Sequence, residues 1–283
     1  MRDPTQADAA RPGRRGVLTF AAVTAYTALA GCAVGGPTPN PSAPAVAVTL
    51  SPDTVTTWDL ITRHLPSGVS QLAMVIPTRR PPIGLVVVLH GAGHTGPQAF
   101  SELGLAEHVE TTGWAIAAPS GENTWWHPRG RYGDGLALVV DDVIPTALLT
   151  AQLPADTPVA LMGYSMGGYG ALLVGATLGP RRCRGIVAQA PALFTDPRQA
   201  SHAFDSAQQF DEWSITGKRI ETLRQIPLWI DCGEQDYFID VSRALAAELP
   251  QAKTTFRPGD HDTSVWRPLV GEQLTWLAGH STG

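Results

Sequence analysis

Gly163-Tyr164-Ser165-Met166-Gly167 decides the reading of this chain. The apolar run Val159-Ala160-Leu161-Met162 precedes it, and an Ala- and Leu-rich stretch of helical length, Ser165 to Leu178, follows. A G-x-S-x-G sequence in that setting is a sharp strand-to-helix turn. Small residues on either side let the backbone fold without clash, and the serine hydroxyl is left exposed at a helix N-terminus. There, free amides and the helix dipole favour developing negative charge. Gly168 and Gly170 extend the run where the helix must pack closely on its sheet.

Outward from this turn the chain alternates. Leu85–Leu89, Trp114–Ala118, Val159–Met162, Gly185–Ala188, Leu228–Ile230 and Lys253–Arg257 read as strands, the first five as short apolar runs buried on both faces. Pro97–Thr111, Leu136–Leu153, Ser165–Leu178, Asp240–Leu249 and Val265–Ala278 have helical length between them. Such alternation predicts an α/β fold, a mostly parallel sheet with helices on both faces. Upstream, Thr54–His64 and Val69–Ile76 alternate apolar and polar residues around Pro66-Ser67-Gly68, which predicts an antiparallel N-terminal hairpin. Length, 43% hydrophobic residues and only 16% charged ones suit one large domain.

A serine nucleophile needs a base, an acid and an oxyanion hole. In the chain order Ser, acid, His, the base comes late, and His261 fits, in the loop Pro258-Gly259-Asp260-His261-Asp262. His280 is the fourth residue from the end and reads as surface. The acid belongs to the turn after the Leu228 strand, where Asp236 is favoured over Glu234 and over Asp240, which reads as a helix cap. Asp231 sits within the strand. Small residues in His90-Gly91-Ala92-Gly93, directly after the Leu85 strand, suit one half of the oxyanion hole. Ala92 is the expected first donor, and the amide after the nucleophile, Met166, the second. His90 is expected to brace the loop. His90 and His94 alone give no metal site, since a third ligand is lacking, and no metal or other cofactor is expected.

The elbow, His90-Gly91, Gly233 to Asp236 and Gly259-Asp260-His261-Asp262 resemble the esterase D and antigen 85 group of α/β hydrolases, over about residues 55 to 279. The resemblance implies an α/β-hydrolase fold and a carboxylic ester hydrolase or an acyltransferase, in a group some of whose members are exported by mycobacteria and related actinobacteria. Related polyhydroxybutyrate depolymerases and feruloyl esterases carry a Cys in the oxyanion loop where this chain has Ala92, which speaks against polymer degradation. Two stretches are expected above the nucleophile: Ser120 to Gly135, with Trp125, Trp126 and His127, and Ala192 to Gln225, with Phe194, Phe204, Phe210 and Trp213. Trp125, Trp126 and Trp213 are the expected substrate contacts, against the alternative that these aromatics only pack the inserted helices. The favoured reaction is hydrolysis of short or medium acyl esters through an acyl-enzyme. Transfer to a sugar or lipid alcohol and a silent binding lipoprotein are the alternatives.

The first residues read as an export signal: Arg11, Arg14 and Arg15, then an uncharged stretch from Val17 to Ala30 too short for a membrane span. Leu29-Ala30-Gly31-Cys32 resembles a bacterial lipobox, which implies removal of residues 1–31 and acylation of Cys32. Residues 32–50, with Pro37, Pro39, Pro41 and Pro44, read as a tether, and residues 51–283 as the catalytic domain. The expected location is the cell envelope, lipid-anchored at the outer face of the plasma membrane. A net charge of -5 without any dense Lys/Arg run makes nucleic acid an unsuitable partner. Cys183 and Cys232 are expected to remain free thiols, since parallel strands put them at opposite edges of the sheet.

Overall fold

The computed structural model describes residues 55–280. The export signal, Cys32 and the tether lie outside the described residues. β1 (Thr56–Ile61) and β2 (Val69–Val75) form the expected antiparallel hairpin, and β2 continues antiparallel to β4 (Ala115–Pro119). The remaining strands of the sheet are parallel to β4: β3 (Leu85–Leu89), β7 (Val159–Tyr164), β8 (Cys183–Gln189), β9 (Leu228–Gly233) and β10 (Lys253–Arg257). The order is β1-β2-β4-β3-β7-β8-β9-β10. β5 (Pro128–Arg129) and β6 (Gly133–Asp134) make a separate two-stranded ladder.

The central strands divide their side chains between two cores because successive residues point to opposite faces. Leu85, Val87 and Leu89 enter one core while Val86 and Val88 enter the other. On the first face lie α4 (Ile144–Thr150), α5 (Met166–Leu178), α7 (Lys218–Leu223) and α8 (Ile239–Glu248). On the second lie α1 (Gly96–Leu103), α2 (Val109–Thr112), α9 (Thr263–Trp266) and α10 (Val270–Gly279). The short α3 (Gly135–Ala137) leads into α4, and α6 (Ala207–Trp213) belongs to the insertion between β8 and β9. Cys183 opens β8 and Cys232 lies near the end of β9, and both are buried free thiols.

Three expected helices are not continuous. The stretch predicted from Pro97 to Thr111 stops at Gly104, whose left-handed backbone (φ 64°) caps α1 before a 3-10 turn and α2 resume. A π-helical segment, Leu138–Val143, sits inside the Leu136 to Leu153 helix. Pro268, within the 3-10 turn Arg267–Leu269, separates α9 from α10.

The consequence for the site is positional. The loops after β3, β7, β9 and β10 carry His90–Gly93, Ser165, Asp236 and His261, and all leave the sheet at the carboxyl ends of parallel strands. In open α/β sheets ligands bind at that edge.

Candidate active site

Ser165 occupies the turn between β7 and α5 with φ 56° and ψ -121°. A β-carbon-bearing residue at positive φ costs on the order of 1–3 kcal/mol and persists only where the surroundings fix it. Here they do. Ser165 N–H donates to the Gln189 carbonyl at 2.9 Å, and the Ser165 carbonyl accepts from Tyr169 N–H at 3.1 Å and Ala192 N–H at 3.0 Å. Glycine is required on the far side, because a Cβ at Gly167 would run into the Leu89 carbonyl.

His261 Nε2 lies 2.9 Å from Ser165 Oγ, and His261 Nδ1 lies 2.6 Å from Asp236 Oδ2. A carboxylate only accepts, so Nδ1 carries the proton and Nε2 faces the serine hydroxyl as acceptor. The other carboxylate oxygen, Asp236 Oδ1, accepts from Phe238 N–H at 2.8 Å, which fixes the acid's orientation. The acid and base loops are tied to one another. Glu234 N–H donates to the Arg257 carbonyl, Gln235 N–H to the Gly259 carbonyl, and Gly259 N–H to Gln235 Oε1.

The rivals for the acid lie elsewhere. Glu234 faces Arg243 at 3.6 Å. Asp240 stands in the first turn of α8 rather than at its cap, which is Phe238. Asp231 is fully buried and turned towards Gln273, whose amide donates to it at 3.4 Å, and Arg257. His280 rests on Trp276 at the end of α10.

Ala92 is exposed, and its amide donates to no protein group among the described residues. Met166 opens α5, where the first N–H groups of a helix lack intrahelical acceptors. A Cβ at Gly91 would lie 2.8 Å from Tyr164 Cε2 and 3.5 Å from Ser165 Cβ, so the loop bearing Ala92 rests directly on the elbow. His90 braces that loop. Its Nδ1–H donates to the Gly91 carbonyl at 2.8 Å, and Nε2 accepts Gly121 N–H at 2.9 Å. Burial lowers its pKa to about 4, which keeps the ring neutral in this bracing tautomer.

The expected substrate contacts need correction. Trp126 is fully buried; its indole N–H donates to the His90 carbonyl at 3.3 Å, and its ring fills the space where a Cβ at Gly170 would stand. It is a wedge between the Ser120 to Gly135 loop and α5. Trp213 packs its ring over His127 and under the Arg219 guanidinium, and is not among the residues that line the cavity beside the elbow. Trp125 is also buried, with its ring against Phe194 and His202. Phe194, on which it packs, lines the cavity beside the elbow.

A cavity of about 300 Å³ opens beside the elbow. Tyr169 and Ala192, the two residues whose amides bond the Ser165 carbonyl, form part of its wall, with Leu193, Phe194, Phe204, Phe210 and Ile215 from the β8–β9 insertion. Val241 and Leu245 of α8 close the other side. Three of the aromatics expected in that insertion, Phe194, Phe204 and Phe210, are therefore cavity residues. Sequence reasoning missed Tyr237 and Phe238, whose rings flank His261 with centroids 4.4 and 5.4 Å away. Their signal was their place directly after the acid, two aromatics in an otherwise polar turn.

Residues 80–224, with the elbow inside them, match the family model Hydrolase_4, serine aminopeptidase, S33. The chain belongs to that family. The fold of this Hydrolase_4 member is an α/β-hydrolase fold of the esterase D and antigen 85 kind. FphF of Staphylococcus aureus, a fluorophosphonate-binding serine hydrolase, superposes with a TM-score of 0.67 at 15% identity, over 81% of this chain and 99% of that one. An S-formylglutathione hydrolase of Agrobacterium tumefaciens gives 0.66 at 15%, over 80% and 95%. MPT51 of Mycobacterium tuberculosis gives 0.61 at 14%, over 81% and 99%. No curated protein matches the sequence.

Proposed function

We propose that this Hydrolase_4 member is a serine carboxylic ester hydrolase acting through Ser165, His261 and Asp236. The observation that carries the reading is the unbroken hydrogen-bonded chain Asp236–His261–Ser165, ending on a serine held at positive φ. His261 Nε2 takes the hydroxyl proton as Ser165 Oγ attacks the ester carbonyl. The Ala92 and Met166 amides hold the oxyanion, and His261 returns the proton to the leaving alcohol. Water, activated by the same histidine, then releases the acid. Asp236 fixes the tautomer and stabilises the imidazolium without taking its proton.

The cavity beside the elbow would take the acyl chain. At about 300 Å³ it stands at the lower end of ligand pockets, and Phe, Leu, Ile and Val dominate its wall, which suits a short or medium apolar chain. Solved relatives named as a ferulic acid esterase and an S-formylglutathione hydrolase agree with an ester or thioester substrate. The family's aminopeptidase description makes amide cleavage the second reading. An aminopeptidase must hold an α-ammonium near the nucleophile, and Glu248 is the one carboxylate lining this cavity among the described residues.

Transfer to an alcohol needs oriented polar groups for the acceptor. Arg129 is buried and committed to Asp205 at 2.7 Å, and Arg131, exposed and bonded to Tyr132 at 2.7 Å, is not among the residues that line the cavity, so neither is placed there as such a group. Hydrolysis is favoured accordingly. We further propose export and attachment through an acylated Cys32, on the sequence grounds above; palmitate incorporation lost in Cys32→Ala tests this.

The reading is tested by product partitioning. The enzyme is incubated with p-nitrophenyl butyrate, p-nitrophenyl octanoate and an aminoacyl p-nitroanilide, with and without millimolar trehalose or glycerol. Free acid from the esters is expected throughout. New ester as the main product would establish transfer, and turnover of the anilide alone would establish the peptidase.

A further inference from the structure

We propose that Glu102 is a positioning residue that clamps the oxyanion loop to the nucleophile elbow. This rests on the ester hydrolase reading and concerns a group outside the triad. One atom, Glu102 Oε2, receives two hydrogen bonds. Tyr164 Oη donates to it at 2.7 Å and His94 Nδ1 lies 2.8 Å from it; the same Nδ1 stands 3.0 Å from Tyr164 Oη. Two donors on one carboxylate oxygen form charge-assisted bonds, about twice as strong as neutral ones.

The three residues belong to the three parts that must stay in register. Tyr164 is the last residue of β7, directly before Ser165, and Met166, the second expected oxyanion donor, follows that serine. His94 ends the oxyanion loop, and its own N–H closes the loop onto the Gly91 carbonyl at 3.2 Å. Glu102 lies on α1, the helix that the loop enters. Between them the Tyr164 ring lies under Gly91, where a Cβ would come within 2.8 Å of it. The carboxylate thus joins the ring beneath the loop to the residue that terminates it. Ala92 lies between these anchors, exposed and with an amide that donates to no protein group among the described residues.

An oxyanion donor acts only where its N–H meets the oxygen at hydrogen-bond distance in the transition state. Losing one donor costs about 100- to 1000-fold in rate, and a shift of about 1 Å can cost about 100-fold. Without Glu102, His94 and Tyr164 lose their shared acceptor, and one of the ties that hold Ala92 in register with Met166 is gone while the His90 brace remains. On the ester reading, the cavity holds the ground-state ester by its acyl chain, and that binding does not need the register.

The experiment compares wild type with Glu102→Ala, Glu102→Gln, Tyr164→Phe and, as a surface control, Glu107→Ala, normalised to sites titrated by a fluorophosphonate. Tyr164→Phe keeps the ring under Gly91 and guards against loss of folding in the Glu102 variants. Glu102→Ala is expected to lower kcat on p-nitrophenyl butyrate about 10- to 100-fold with KM within threefold, and to weaken a trifluoromethyl ketone inhibitor by the same factor as kcat. Tyr164→Phe should lose about three- to tenfold in kcat, Glu102→Gln should recover most of the alanine loss, and Glu107→Ala should match wild type. kcat within twofold of wild type in both Glu102→Ala and Tyr164→Phe, or a loss confined to KM, overturns the clamp. If wild type reacts with fluorophosphonate but hydrolyses no ester, the ester reading fails. The clamp is then judged by the labelling rate, which Glu102→Ala must slow at least tenfold, and an unchanged rate overturns it.

Discussion

The phenol ring of Tyr237 lies against the imidazole of His261, centroids 4.4 Å apart, while 71% of Tyr237 stays exposed. A large ring left in solvent beside the base is placed to meet the leaving group rather than to hold the core. Aromatic contact of this kind contributes about 1 kcal/mol, or about fivefold in affinity. Tyr237→Ala is therefore expected to raise KM for p-nitrophenyl butyrate about fivefold and to leave ethyl butyrate within twofold, with Tyr237→Phe close to wild type. Equal changes on both esters would show that the ring only supports His261.

The cavity wall predicts the acyl preference. Val241→Phe adds volume on the α8 side of a cavity that a medium chain must fill, and excludes the terminal methylenes. Each methylene transferred to an apolar site contributes about 0.8 kcal/mol, so losing two should cost about 15-fold. kcat/KM for the octanoate ester should fall about 10- to 20-fold in Val241→Phe while the acetate ester stays within twofold. An unchanged ratio of octanoate to acetate would place the acyl chain elsewhere.

Asp231 gives the pH prediction. Burial raises its carboxyl pKa to about 7, against the opposing effects of Arg257, 3.9 Å away, and Gln273. An acid whose pKa is higher folded than unfolded stabilises the native state only while protonated. That contribution is complete below about pH 4, the unfolded value, and is lost as pH rises through about 7. The loss is of the order of 4 kcal/mol, about three tenfold steps in proton affinity at about 1.4 kcal/mol each. Asp231→Asn removes the buried charge, so its urea midpoint should exceed wild type at pH 8 and approach it at pH 4.5. A variant less stable than wild type at pH 8 would mean that the Arg257 pairing outweighs burial.

How much of this was legible varied with how local each decision was. Leu85–Leu89 reads as a strand because all five side chains are apolar, and the structure buries all five. Ser165, Asp236 and His261 were legible because chain order and loop position constrain them, and the fold brings them together. The helix break at Gly104 was not, since a lone glycine reads alike inside a helix and at its left-handed end. Trp126 misled for a similar reason. A tryptophan in a site-edge loop looks the same as wall or wedge until Gly170, on a helix 44 positions later, is found beneath it. Val241 and Leu245 could not be assigned to the cavity from sequence, because only the packing of α8 across the β8–β9 insertion makes them neighbours of Phe204 and Phe210. The Glu102 contact is equally non-local, 62 residues from Tyr164.

The central claim is that Ser165 is a nucleophile activated by His261. It is tested most directly by reacting the purified protein with a fluorophosphonate and locating the adduct by mass. One adduct per chain on the Ser165 peptide is expected for wild type, and none for Ser165→Ala at an unchanged melting temperature, since an elbow hydroxyl carries little packing. An adduct on Ser165→Ala, or folded wild-type protein that takes up no probe, would contradict the account.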